Sequence, residues 1–251
     1  MSEPVQIVNP DGSSAVVLVC EHAANTVPAG FAGLGLDDAA LQSHVAWDPG
    51  AMGVARGLSA RLDAVLVAAT VSRLVYDCNR PPEAPDAMPA RSELTEVPGN
   101  AALTQADRAL RVQRYYAPFR AALADRISRT REPILVTVHS FTPVYFGKPR
   151  ETEIGVLFDT DDRLARAMLS TADRHMPRRV AANDPYGPED GVTHTLREHA
   201  LPQGHPNVML EIRNDLIATP SAQDAMARDI ADWLVAACAS LGIGEAVQCH
   251  A

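Results

Sequence analysis

The 251-residue sequence predicts an α/β fold built on a mostly parallel sheet that is buried on both faces. Three observations lead there. Short apolar runs alternate with stretches of helical periodicity along almost the whole chain. Two proline-rich segments interrupt this alternation as long loops. Several apolar runs end on charged residues, as strands do when a site lies at the carboxyl edge of an open sheet. Composition agrees, because 47% hydrophobic and 21% charged residues suit a globular chain with one large core, read as a single domain over 1–251.

The elements follow in order. The opening MSEPVQIVNPDGSS lacks a basic region, and the first apolar run is far too short for a signal or a membrane span. That run, Ala15 to Cys20, is the first strand. LDDAALQSHVA, after a glycine-rich turn, reads as a helix. AMGVARGLSARL reads as the next, with Asp48 placed to cap it and Pro49 at its first position. Strands follow at Ala64 to Ala69 and Leu74 to Tyr76. NRPPEAPDAMPARSELTEVPGN holds too much proline for regular structure and is a long loop. Thr104 caps an amphipathic helix that reaches about Arg129 and kinks near Pro118. Ile134 to His139 and Ile154 to Phe158 are strands. Asp161 or Asp162 starts a helix that ends near His175. Val180 to Ala182 is a short strand, and NDPYGPEDGV is the second long loop. Val208 to Arg213 is the last strand, and Ser221 to Leu241 closes the chain as a helix. Loops of this length in a compact domain are often functional. No internal repeat or heptad is present.

A net charge of −9 argues against nucleic acid or an anionic membrane as partner and leaves room for a small anion held by a local arginine cluster. Cys20, Cys78, Cys238 and Cys249 form no CxxC pair, which suits the reduced thiols of a cytoplasmic protein. A homo-oligomer is compatible with all of this. No GxGxxG, phosphate-binding loop or nucleophile elbow occurs, so the usual nucleotide and serine-hydrolase readings fall away.

The strand ends carry the chemistry. VVLVCEHAAN ends on Glu21 and His22, SRLVYDCNRPP on Asp77, Asn79 and Arg80, and ILVTVHSF on His139 and Ser140, while VMLEIRND carries Glu211 and Arg213. An imidazole buried at the end of a strand is costly unless both ring nitrogens find partners. A backbone carbonyl or a side chain is one answer, and a metal ion is the other. Imidazole and carboxylate ligands suit zinc, and a site with one open position suits metal-assisted hydrolysis. HTLREH does not make a second zinc motif: His194 and His199 are five residues apart, about 140° around a helix of 3.6 residues per turn.

CEHAANTVP, WDPGA, SRLVYDCNRPP, VHSF and LEIRNDL, in that order, resemble the N-formylglutamate amidohydrolase family, itself similar in fold to zinc carboxypeptidases and aspartoacylases. The resemblance implies a three-layer α/β sandwich with a mostly parallel mixed sheet, zinc-exopeptidase-like (phosphorylase/hydrolase-like). It implies one Zn2+ bound by His22 and His139. Carboxypeptidases use His-x-x-Glu, and this chain has Asn25 where the Glu should stand, so the third ligand expected is Asp48 of WDPGA. The helix-cap reading of Asp48 stays open beside it. The resemblance further implies that Asn79 and Arg80 hold a substrate carboxylate and that Glu211 activates water. The substrate implied is a small acyl amino acid such as N-formylglutamate, with one scissile amide and two carboxylates. Arg73 and Arg213 could supply a second clamp, although Arg213 equally fits an ion pair with a nearby acid. His199 could stabilise the oxyanion or leaving group, or simply face solvent. Glu211, inside an apolar strand, must either exchange a proton or meet an arginine. Hydrolysis of another N-acyl amino acid and a metal-free anion-binding protein are the alternative functions.

Overall fold

The computed structural model describes residues 3–243 and Val247. Seven strands form the central sheet: β1 (Val5–Val8), β2 (Val16–Cys20), β3 (Val65–Ala69), β4 (Ile134–Phe141), β5 (Ile154–Leu157), β6 (Val180–Ala182) and β7 (Asn207–Arg213), in the spatial order β1-β3-β2-β4-β7-β5-β6. The pairs β3/β2, β2/β4, β4/β7 and β5/β6 are parallel, while β1/β3 and β7/β5 are antiparallel. The architecture is the expected α/β sandwich with a mostly parallel mixed sheet.

Alternation along each strand divides the apolar residues between two cores. From β2, Val16, Leu18 and Cys20 pack with α2 (Ala51–Leu62), α5 (Arg163–His175) and α7 (Pro220–Ser240). Val17 and Val19 pack on the other face with α4 (Ala117–Arg129) and α6 (His194–His199). The indole of Trp233 on α7 donates to the Met168 carbonyl on α5 at 2.8 Å, so its polar end is satisfied inside the first core. Cys20, Cys78 and Cys238 are buried free thiols, and Cys249 lies outside the described residues. No helix among the described residues is long and apolar enough to cross a membrane.

Several local expectations are corrected. Leu74 to Tyr76 is a turn, not a strand: the Ser72 hydroxyl accepts from the Leu74 N–H at 3.1 Å and its carbonyl from Val75 at 2.9 Å. The triplet is buried from that turn, and a short apolar run does not by itself distinguish the two. LDDAALQSHVA is helical only over α1 (Asp38–Gln42), capped by Asp37. Asp48 does not cap α2: the helix begins after Gly50, which is left-handed with φ 84°, and Asp48 contributes only its carbonyl to the Ala51 N–H. Thr104 does cap α3 (Gln105–Arg111), with Asp107 completing a capping box. The disturbance expected at Pro118 is a π-helical turn over Val112–Tyr116, in which the Ala117 N–H reaches back to the Val112 carbonyl. β1, on the sheet edge, carried no signal strong enough to be expected.

Because β5 runs antiparallel to β7, the segment entering β5 starts at the same edge where β2, β4 and β7 end. The loop after β6 crosses back over β5 at Gly155, where a Cβ would lie 2.4 Å from the Asp184 carbonyl oxygen and 3.2 Å from the Glu211 Cβ. Gly155→Ala should therefore destabilise the protein by about 1–3 kcal/mol through overpacking against backbone. Equilibrium denaturation measures this, and an unchanged midpoint would show that the crossing tolerates a methyl group.

Candidate metal centre and cleft

The site forms where β2, β4 and β7 deliver their last residues. His22 follows β2, and His139 lies within β4, directly beside Glu211 of β7 in the parallel register. Asp48 joins them from the turn before α2. Its N–H donates to the His22 carbonyl at 3.0 Å, and the Ser140 hydroxyl braces the Pro49 carbonyl at 2.9 Å. This brings Asp48 Oδ2 to 3.2 Å from His22 Nδ1 and 3.0 Å from His139 Nδ1, and the two Nδ1 atoms lie 3.2 Å apart. All three residues are at most 3% exposed.

The outer ring nitrogens meet carboxylates. His22 Nε2 is 2.7 Å from Asp77 Oδ1, and His139 Nε2 is 3.1 Å from Glu21 Oε2. A neutral imidazole has one N–H, so the hydrogen bond of His22 Nε2 with Asp77 assigns the proton there and leaves Nδ1 as a lone pair, and the charge of Glu21 close to His139 Nε2 favours the same tautomer in that ring. Two lone pairs and an ionised carboxylate oxygen then converge, an arrangement that a cation neutralises. Ligand atoms of His22, Asp48 and His139 all lie within 4.8 Å of one another, and the donor set is of the kind zinc prefers. Without a metal, protons take the cation's place. Burial disfavours a charged His139, but Glu21 and Asp48 override it and hold the ring well above the usual imidazole range. Burial and Arg73 oppose charge on His22, yet Asp77 and Asp48 still raise it. Burial alone would raise Asp48, whereas the two histidines hold it well below the carboxylate range.

Glu211 stands apart from these pairs. Burial, with Asp48 adding to it, pushes its carboxyl up to about 7 against the opposing charges of His139, His22 and Arg73. Its Oε2 is buried without a hydrogen-bond partner. Among the described residues no arginine or lysine forms an ion pair with it, so the buried-pair alternative is not what the fold builds.

These groups open onto a cleft of about 460 Å³, also lined by Arg73, Asn79, Arg80, Arg150 and Tyr186. Arg73 bridges Asp77 at 2.8 Å and Asp48 at 3.4 Å. Arg80 donates through Nε to Asp86 at 2.6 Å and through Nη1 to the Asn79 and Gly191 carbonyls. Asn79 is committed to the fold: it donates to the Val192 carbonyl at 2.6 Å and accepts from the Thr195 N–H at 3.0 Å. Arg213 and His199 are not among the cleft's lining residues. Arg213 pairs with Asp215 at 2.8 Å, the ion-pair alternative raised by the sequence, and also reaches the Arg150 carbonyl. His199 sits on α6, where burial pulls its pKa down to about 4.

Sequence reasoning gave no role to Asp77 and Glu21, which hold the histidines, or to Tyr145, Arg150 and Tyr186. The strand-end rule had marked the first two, and the second proline-rich loop contains Tyr186. Asp77→Asn and Glu21→Gln remove the groups that orient the rings without removing a ligand. Each should lower zinc affinity roughly 10-fold to 100-fold. Competition with a chelator of known affinity measures this, and parental affinity in both variants would separate the carboxylates from the metal centre.

The N-formylglutamate amidohydrolase family profile matches residues 14–218. The crystal structure of gene product Atu2144 from Agrobacterium tumefaciens is 51% identical, with a TM-score of 0.92 over 96% of this chain and 97% of that one. N-formylglutamate amidohydrolase from Ralstonia eutropha JMP134 is 21% identical, with a TM-score of 0.62 over 98% of both chains, which is a likeness of fold. No curated protein sequence matches the chain. The profile spans most of the sequence and includes every strand-end motif from CEHA to LEIRND; the chain belongs to the N-formylglutamate amidohydrolase family, whose members are amide-cleaving hydrolases.

Proposed function

We propose that the protein is a zinc-dependent hydrolase that removes the formyl group from an acidic N-formyl amino acid such as N-formyl-L-glutamate, giving formate and the free amino acid. One observation carries this reading. Three metal-accepting atoms of His22, Asp48 and His139 converge beside Glu211, which shares a sheet register with His139 and whose Oε2 is buried without a hydrogen-bond partner among the described residues. These three residues would hold a zinc ion, which when bound would supply a Lewis acid for the acyl oxygen and lower the pKa of water.

The chain's own groups do the rest. Glu211, held near neutrality by burial, takes a proton from the attacking water through its carboxylate and returns it to the departing amine nitrogen. Glu21 and Asp77 hold the imidazoles in the tautomer that presents Nδ1 to the centre. Arg73, between Asp48 and Asp77, balances the negative charge gathered there. Arg80, on the cleft wall beside the metal cluster, is the proposed grip for the carboxylate next to the scissile amide. Asn79 supports that wall through its bonds to Val192 and Thr195.

Two outcomes test the reading. Purified protein should carry about one zinc per chain, and His139→Ala should lose zinc and deformylase activity together; full zinc occupancy in that variant would remove His139 from the centre. Glu211→Gln keeps the side chain's shape but cannot accept a proton. Turnover should fall roughly 10²-fold to 10⁴-fold, with zinc content and melting temperature near the parental values. Near-normal turnover in a stable, zinc-loaded Glu211→Gln protein would assign the proton to another group.

A further inference from the structure

The three arginines that line the cleft differ in what answers their charge. Arg73 lies against Asp48 and Asp77, and Arg80 against Asp86. Arg150 makes no ion pair among the described residues. Its guanidinium sits instead over three aromatic faces, with the central carbon 5.4 Å from the Phe141 ring centroid, 4.4 Å from Tyr145 and 4.7 Å from Tyr186. Ring faces attract the cation and displace water from it, and among the described residues only its Nη1 has a hydrogen-bond partner, so the remaining N–H groups of the planar fork can meet the two oxygens of a carboxylate.

The backbone under this side chain is held. The Arg150 N–H donates to the Pro143 carbonyl at 2.8 Å, closing the small hairpin of Val144–Tyr145 and Lys148–Pro149, and Arg213 reaches the Arg150 carbonyl at 3.3 Å. The hairpin tip is tied down as well: the Phe146 N–H donates to Glu93 at 2.9 Å, and Glu93 pairs with His44 at 2.8 Å. Through Nη1 the guanidinium donates to the Tyr186 hydroxyl at 2.9 Å. Burial, with Glu211 adding to it, pushes the Tyr186 phenol up to about 12, so it keeps its own proton to donate to a further acceptor. Arg73 acts on Asp77, Glu211 and Tyr186 and Arg80 on Asp77, whereas Arg150 acts on Glu93 and Tyr186, on the same cleft wall as Tyr145.

Resting on the deformylase reading above, we infer that Arg150, in its cage of three aromatic rings, binds the substrate's distal carboxylate and so sets the preference for acidic over neutral acyl amino acids. Arg80 serves the carboxylate near the amide, and Arg150, with the Tyr186 hydroxyl beside it, serves the one at the end of the side chain. A glutamine side chain has the same length and shape but offers one neutral oxygen and an N–H₂ group, which a guanidinium repels.

Calorimetric binding of N-formyl-L-glutamate and N-formyl-L-glutamine to the metal-stripped protein, beside kcat/KM for both on the zinc-loaded enzyme, tests this. The parent should favour the glutamate compound in both measurements. Arg150→Gln should weaken binding of N-formyl-L-glutamate by roughly 30-fold or more, the cost of leaving one partner of a desolvated charge pair alone. Its binding of N-formyl-L-glutamine should stay within about threefold, that being under ~1 kcal/mol. Arg150→Lys keeps the charge without the planar fork and should fall between; it carries the test if the glutamine variant does not fold. Parental discrimination in both variants would overturn the role of Arg150 while leaving deformylase activity in place. So would a parent that cleaves N-formyl amino acids without preferring the acidic one. A parent that neither binds nor cleaves any N-formyl amino acid would overturn the function itself, and this inference with it.

Discussion

The structure turns on how ionisable groups are buried together at one edge of the sheet. Glu21, His22, Asp48, Asp77 and His139 are each at most 3% exposed. Any one of them alone in that position would be costly, and an ion pair with a missing member costs more than an apolar substitute. They answer one another in a continuous chain from Glu21 through His139, Asp48 and His22 to Asp77 and Arg73. Its inner atoms, those of His22, Asp48 and His139, lie within 4.8 Å of one another and could hold a metal ion.

Local features of the backbone follow from meeting that demand. The Asp48 side chain points into the cluster, so α2 starts later, behind a left-handed Gly50. Ser72 closes the turn that carries Arg73 and Asp77 inward, taking the place of the strand that an apolar triplet suggests. Glu211 enters the same edge by sheet register alone. Among the described residues no arginine or lysine pairs with it, and burial raises its carboxyl to about 7. The reversal of β5 then completes the cleft. It delivers a hairpin and Arg150 to the edge at which the parallel strands end, while Gly155 lets the following loop bring Tyr186 across.

Most of the fold was legible in local pattern. Apolar runs marked six of the seven strands, and Thr104 and the Asp161–Asp162 pair marked two helix starts, because period and capping depend on residues close in sequence. The failures share a cause. Leu74 to Tyr76 is as apolar as a strand, but a serine hydroxyl two residues upstream redirects its backbone. Asp48 had the sequence position of a cap and a stronger electrostatic claim elsewhere. Arg213 and His199 stand beside motif residues in sequence, yet adjacency does not say which way a side chain faces, and neither lines the cleft.

The sequence by itself determined the class of chemistry. Histidines and carboxylates at the buried ends of apolar strands must find polar partners, whether backbone, one another or a cation. Only the tertiary structure decided which of them meet and what surrounds them. His22 lies 26 positions from Asp48, 55 from Asp77 and 117 from His139, and the aromatic cage of Arg150 draws on β4, a hairpin and a loop more than thirty residues further on. Contacts over such separations are set by strand order, strand direction and a single glycine crossing, none of which leaves a periodic trace in the chain.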